Sequence, residues 1–160
     1  MTNQRAEDLI YRLQVNGRVL LRQIEGLTGE DLLRQPDMRG NCFNWVLGHI
    51  VSNRNSILKS LGAEEIWGED ERALYGRESQ PITGAESPHL SMERLLEDHR
   101  ISGERIEARL ETITDAELDV MRNEETSVWR WISFLVWHEA YHTGQFEYLR
   151  QLSGVDDKVI

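Results

Sequence analysis

The sequence predicts an all-α fold, a four-helix bundle with a long crossover between its second and third helices. Apolar residues recur at steps of three and four through four segments of roughly 20 residues, each about 30 Å long as a helix. No period-two run of strand length interrupts them, and the segment ends carry helix-capping signals.

The first helix runs from about Gln4 to Gly26, with Ile10, Leu13, Gly17, Leu20, Ile24 and Leu27 on its inner face. Thr28-Gly-Glu-Asp31 opens a short turn that ends near Pro36. The second helix spans Cys42 to Leu61 and is closed by Gly62 as a left-handed cap. Its inner stripe is Val46, His49, Asn53 and Ile57. Residues 63–90 hold Gly68, Gly76, Pro81, Gly84 and Pro88, and read as a crossover, with a helical turn in it, that roofs a pocket. Ser91 caps the third helix, which continues to about Thr112 on Met92, Leu95, Leu96, His99, Ile106, Leu110 and Ile113. Thr114-Asp-Ala-Glu117 is a second capping box, and the fourth helix runs from near Ser127 to Gly154. Val155 to Ile160 reads as a frayed tail.

A chain of 160 residues fills one domain, 1–160, with no room for a second. Eighteen basic against 28 acidic residues give a net charge of −10, which repels phosphate backbones and excludes nucleic acid as a partner. The longest apolar tract, Trp131 to Trp137, is broken by Ser133 and far too short to span a membrane. The N-terminal residues lack the apolar core of a signal peptide, and a single cysteine excludes an intramolecular disulfide. Both favour a cytoplasmic setting.

The histidines carry the chemistry. On the fourth helix Trp131, Leu135, His138, His142, Gln145, Leu149 and Leu152 follow a four-three alternation, so His138 and His142 take consecutive core layers where leucine is the default. Side chains four apart on a helix are neighbours, and both imidazoles can reach one ion. His49 takes an equivalent inward position on the second helix. Three buried polar groups on facing helices are costly unless something binds them together, and a metal between facing helices does so. Three histidines plus an open position is the composition of a catalytic zinc site. His138-Glu-Ala-Tyr-His142 also fits the His-Glu-x-x-His pattern of zinc proteases. Those proteases take a third ligand from further downstream, and a small all-helical bundle is poor scaffolding for them.

Two stretches, Asn44-Trp-Val-Leu-Gly-His49 and His138-Glu-Ala-Tyr-His142-Thr-Gly-Gln145-Phe-Glu-Tyr-Leu-Arg150, together resemble the DinB-like superfamily. These four-helix bundles include YfiT-type metal-dependent hydrolases and thiol S-transferases. The resemblance runs from the first helix to Arg150 and includes the Leu27-Thr-Gly-Glu30 turn. It implies a divalent metal ion, zinc or nickel, held by His49, His138 and His142, and a homodimer. It also implies a low-molecular-weight thiol, since relatives transfer bacillithiol or isomerise maleylpyruvate with mycothiol. The isomerases carry an acidic residue where this chain has His138, which disfavours isomerisation. The expected function is low-molecular-weight thiol S-transfer on a small-molecule substrate. Metal-dependent hydrolysis through activated water and a non-enzymatic bundle with a structural metal are the alternatives.

Around the three histidines, Gln145 and Asn53 are placed to orient ligands or water. Glu139 reads as a solvent-facing salt bridge, His99 as packed against a neighbouring helix, His89 as solvated and Cys42 as a small buried hydrophobe. Trp131 and Trp137 read as core and Trp45 as a pocket wall. Trp67 and Trp129 read as a dimer contact or lid.

Overall fold

The computed structural model describes residues 3–37 and 39–159; Met1, Thr2, Met38 and Ile160, which include both ends of the predicted domain and the last residue of the predicted tail, lie outside the described residues. The fold is all-helical. Four long helices, α1 (Gln4–Ile24), α3 (Phe43–Ser60), α5 (Met92–Leu110) and α7 (Val128–Leu152), are joined through short ones, α2 (Gly29–Leu33), α4 (Glu69–Leu74) and α6 (Asp115–Asp119). Among the described residues, β pairing is confined to an isolated bridge between Met121 and Ser127.

The helix starts follow local chemistry. The Asn3 side chain accepts from the Arg5 and Ala6 N–H groups, and Ser91 and Ser127 accept from Arg94 and Arg130. Capping boxes pair Thr28 with Asp31 and Thr114 with Glu117, as their spacing predicts. Gly62 has φ +66°, the left-handed conformation expected of it after α3.

The long helices pack in a ring: α1 touches α5 and α7, and α3 touches the same two. Two apolar clusters fill the interior. One gathers Phe43, Leu47, Ile50, Tyr75 and Phe146 towards the crossover end; the other gathers Leu9, Ile57, Leu58, Ile106 and Ile132. Between them lies a buried polar belt with one contribution from each long helix: Asn16, Arg54, His99 with Ser102, and Glu139. Arg54 donates twice to the Glu139 carboxylate, at 2.8 and 2.7 Å, and once to the His99 carbonyl at 2.7 Å. Such a pair gains little net stability over apolar packing, but it penalises any registry of α3 against α7 that separates its charges.

Several positions differ from the sequence expectation. Glu139 is 3% exposed in the Arg54 pair, not solvent-facing. The buried face of α1 is Ala6, Leu9, Leu13, Asn16, Leu20 and Gln23, rotated from the predicted stripe, with the Asn16 amide donating to the Val136 carbonyl and the Gln23 amide to Glu147. Trp137 is 59% exposed, since α7 turns Val136, Glu139 and Thr143 inward instead. Leu152 is exposed at the last residue of α7, one turn beyond Leu149, where the core ends. Trp67 is buried, not a lid, with its Nε1–H donating to Asp98 Oδ2 at 2.6 Å. The tail folds back far enough for Asp157 to take two hydrogen bonds from the buried Arg150, so it is tethered rather than frayed at that point.

Candidate metal centre

The polar belt positions the site. On α3, Asn53 precedes Arg54; on α7, His138 precedes Glu139. The Arg54–Glu139 pair therefore fixes the two helices beside the histidines they carry. His49, His138 and His142 converge there, each offering one ring nitrogen, and those three atoms lie within 4.8 Å of one another.

Hydrogen bonds decide which nitrogen each ring offers. His49 Nδ1 lies 2.8 Å from the Tyr75 carbonyl, and His142 Nδ1 lies 2.8 Å from Gln145 Oε1. A carbonyl oxygen only accepts, so both Nδ1 atoms carry the proton and both Nε2 atoms present a lone pair. His138 Nε2 lies 3.0 Å from His142 Nε2, and the Asn53 amide nitrogen approaches His138 Nδ1 at 3.3 Å. In that arrangement Asn53 donates to His138 Nδ1, and His138 donates through Nε2–H to His142.

Burial lowers the pKa of all three rings. For His49 it is opposed by the bond to the Tyr75 carbonyl; for His138 it is reinforced by His49. His142 is pushed down to about 4, by burial first and by the two neighbouring rings, against the Gln145 bond. The rings are thus neutral at neutral pH, the form a metal ion binds. The 3.0 Å separation of two Nε2 atoms is close to the ~3.3 Å edge of a tetrahedron with zinc–nitrogen bonds of about 2.0–2.1 Å. The donor set fits a divalent ion of borderline softness.

The Trp45 ring stacks on His49 with centroids 4.9 Å apart and donates from Nε1 to Ser79 Oγ at 2.8 Å. Phe134 and Tyr141 lie near-parallel to the His138 ring, at 5.7 and 6.5 Å. These walls border an open cleft of about 1110 Å³ with the three histidines in its lining.

The DinB superfamily family model matches residues 12–146, most of the chain. The chain belongs to the DinB superfamily. No curated protein matches it. In this DinB protein the three predicted histidines come together, Asn53 and Gln145 touch them as their spacing suggested, and Trp45 walls the cleft. The other candidates stay apart. Cys42 is fully buried as the residue before α3, and His89 bonds the Ser87 carbonyl in the crossover. His99 lies in the polar belt, where its buried Nε2 has no partner among the described residues. Sequence reasoning missed the Tyr75 carbonyl, which leaves no signal because any residue supplies one. It also missed Phe134, four before His138, and gave no role to Tyr141, three after it and flanking the inner stripe; both lie beside His138 on the helix surface.

Proposed function

We propose that this DinB protein is a metal-dependent enzyme in which His49, His138 and His142 hold a divalent ion, zinc or nickel, for S-transfer from a low-molecular-weight thiol to a small-molecule substrate. The observation that carries this reading is the convergence of three neutral imidazoles on an open cleft, where a structural site would be closed by a fourth protein ligand. Held by these three imidazoles, a divalent ion would supply Lewis acidity favouring the thiolate form of a thiol.

The chain's own residues supply orientation. The Tyr75 carbonyl and Gln145 Oε1 hold the protons of His49 and His142 on Nδ1, facing their Nε2 atoms inward. Asn53 contacts His138 on its far side. Trp45, Phe134 and Tyr141 provide apolar walls against which a substrate body packs. The polar lining is imidazole, amide, guanidinium and phenol, with no carboxylate among the described residues to take up a proton, which suits a thiol better than water. A thiol near pKa 8.5 needs only modest assistance to ionise, whereas hydrolysis also calls for a group to take up the proton of water. The same reading takes the four long helices as one four-helix-bundle domain in the cytoplasm. It takes the exposed aromatic face of α7 at Trp137, outside the cleft, as a homodimer contact.

Elemental analysis of untagged protein, with cobalt substitution, tests the proposal. One divalent ion per chain is expected, lost in His138→Ala and kept in His89→Ala. A thiol added to the cobalt form is expected to change its visible spectrum. Equal metal retention by both variants would overturn the site, and a spectrum indifferent to thiols would overturn S-transfer in favour of a structural ion.

A further inference from the structure

The chain as a whole is strongly acidic, yet none of the described residues lining the cleft is an aspartate or glutamate. A lining of that length drawn at the chain's own composition would hold several. It holds instead two arginines, Arg39 from the loop before α3 and Arg77 from the crossover after α4, both exposed. Most of the chain's well-placed arginines are committed to carboxylates, among them Arg5, Arg54, Arg100 and Arg150. Arg39 and Arg77 have no ion-pair partner among the described residues, although Asp37 and Glu78 lie next to them in sequence or nearly so.

We infer that the cleft recognises an anionic substrate, one carrying a carboxylate or phosphate that Arg39 and Arg77 hold on an apolar body lying against Trp45, Phe134 and Tyr141. A guanidinium presents a planar fork of donors that matches either oxyanion with two parallel hydrogen bonds. An unpaired arginine in a cleft free of carboxylates keeps that fork available and does not have to break an internal pair to use it. The aromatic walls supply sequence-independent apolar area, and about 1110 Å³ accommodates a body of drug size or larger. The net charge of the protein opposes anions at long range, so the selectivity is local, exerted by two side chains within the Debye length of the ligand. Only the orientation of the substrate, with its reactive end towards the histidines, rests on the proposed metal centre.

Calorimetric titration of the intact, metal-free protein at pH 7.5 and physiological salt tests this with three probes of one shape. These are 2-naphthoate, 2-naphthyl phosphate and the uncharged 2-naphthylmethanol. At least one anion is expected to bind tenfold or more tightly than the alcohol. The double variant Arg39→Gln/Arg77→Gln is expected to lose that preference while keeping the alcohol affinity within twofold. Which anion binds more tightly distinguishes a carboxylate-bearing from a phosphate-bearing substrate. Equal affinity for charged and uncharged probes, preference that survives in the double variant, or no binding of any probe at millimolar concentration would each overturn the inference. Because the preference is read without metal, a failed metal centre shows separately, as absent zinc binding in the wild-type protein.

Discussion

The ring of Tyr75 occupies the space that a side chain on Gly48 would need: a Cβ built there would overlap the ring at Cδ1, Cε1 and Cγ. The ring is fully buried, and its hydroxyl, whose pKa burial pushes up to about 12, accepts from the Leu90 N–H at 2.7 Å and donates to Asn44 Oδ1 at 3.2 Å. The carbonyl of the same residue receives the His49 Nδ1 proton. One residue of the crossover thus seals the core and sets the tautomer of a candidate ligand. Its close approach depends on the glycine immediately before that ligand.

Gly48→Ala is therefore expected to destabilise the protein by about 1–3 kcal/mol, as overpacking does, and to weaken zinc binding along with it. Tyr75→Phe keeps the ring and the carbonyl and loses only the hydroxyl bonds. It should lower the melting temperature, with about 1–3 kcal/mol at stake in the unsatisfied partners, while zinc affinity stays near that of the wild type. Thermal unfolding and zinc competition titrations on both variants check the pair of outcomes.

The helices and their caps were legible because each signal is local. Thr28 with Asp31, Thr114 with Glu117 and Ser91 act within one turn, and apolar spacing is a property of the segment itself. The histidine cluster was legible for a related reason: His138 and His142 share a helix face, and His49 lies inward on a helix that packs against it. Glu139 was misplaced because burial of a carboxylate depends on a partner 85 positions away, and neither Arg54 nor Glu139 announces the other. The same holds for Asn16 and Gln23 on α1, whose amide N–H groups find their acceptors only across the helix interface. Trp137 shows the converse limit, since its apolarity carried no information about which way α7 turns it.

The contact between Asn53 and His138 has a sign. To offer Nε2 to an ion, His138 must move its proton to Nδ1, where the Asn53 amide nitrogen now donates; turning the amide over brings Oδ1 to accept it. Asn53→Asp supplies an acceptor permanently and is expected to tighten zinc binding by about tenfold. Asn53→Leu supplies none and should weaken it by about 10- to 100-fold. Competition against a zinc-sensitive dye measures both, and a looser Asn53→Asp variant would reject the tautomer assignment.

The Arg54–Glu139 pair separates stability from registry. Glu139→Ala leaves a buried guanidinium uncompensated and is expected to cost about 3–5 kcal/mol. Replacing both partners in Arg54→Met/Glu139→Leu should recover most of that loss, because apolar packing substitutes well for a buried ion pair. If the pair also aligns the helices that carry His49 and His138, the recovered double variant will bind zinc more weakly than the wild type. Urea unfolding and zinc titration on the same samples read the two effects independently.

The buried imidazoles make the metal-free protein sensitive to mild acid. His142 falls from an ordinary value of 6.5 to about 4 in the fold, and His99 falls well below 6.5 through burial and then the nearby Arg54. Below 6.5 the unfolded chain therefore binds protons that the folded chain refuses, so stability present above that pH is lost as the pH falls towards 4. Each such group contributes a slope of at most about 1.4 kcal/mol per pH unit within its window. The carboxylates held low by their partners, Glu117 at about 2 and Asp31 and Asp115 below their usual range, act with the same sign but only below about 4.5, where an unfolded carboxylate begins to protonate. Urea unfolding from pH 8 to pH 5 is thus expected to show a flat region above 6.5 and a decline beneath it. His99→Leu should flatten that decline by about one group's share without changing zinc stoichiometry, because His99 lies apart from the three ligands. An unaltered decline in that variant would mean that His99 has an acceptor in the fold that lets it protonate at its ordinary pKa, contrary to the unpaired Nε2 it presents.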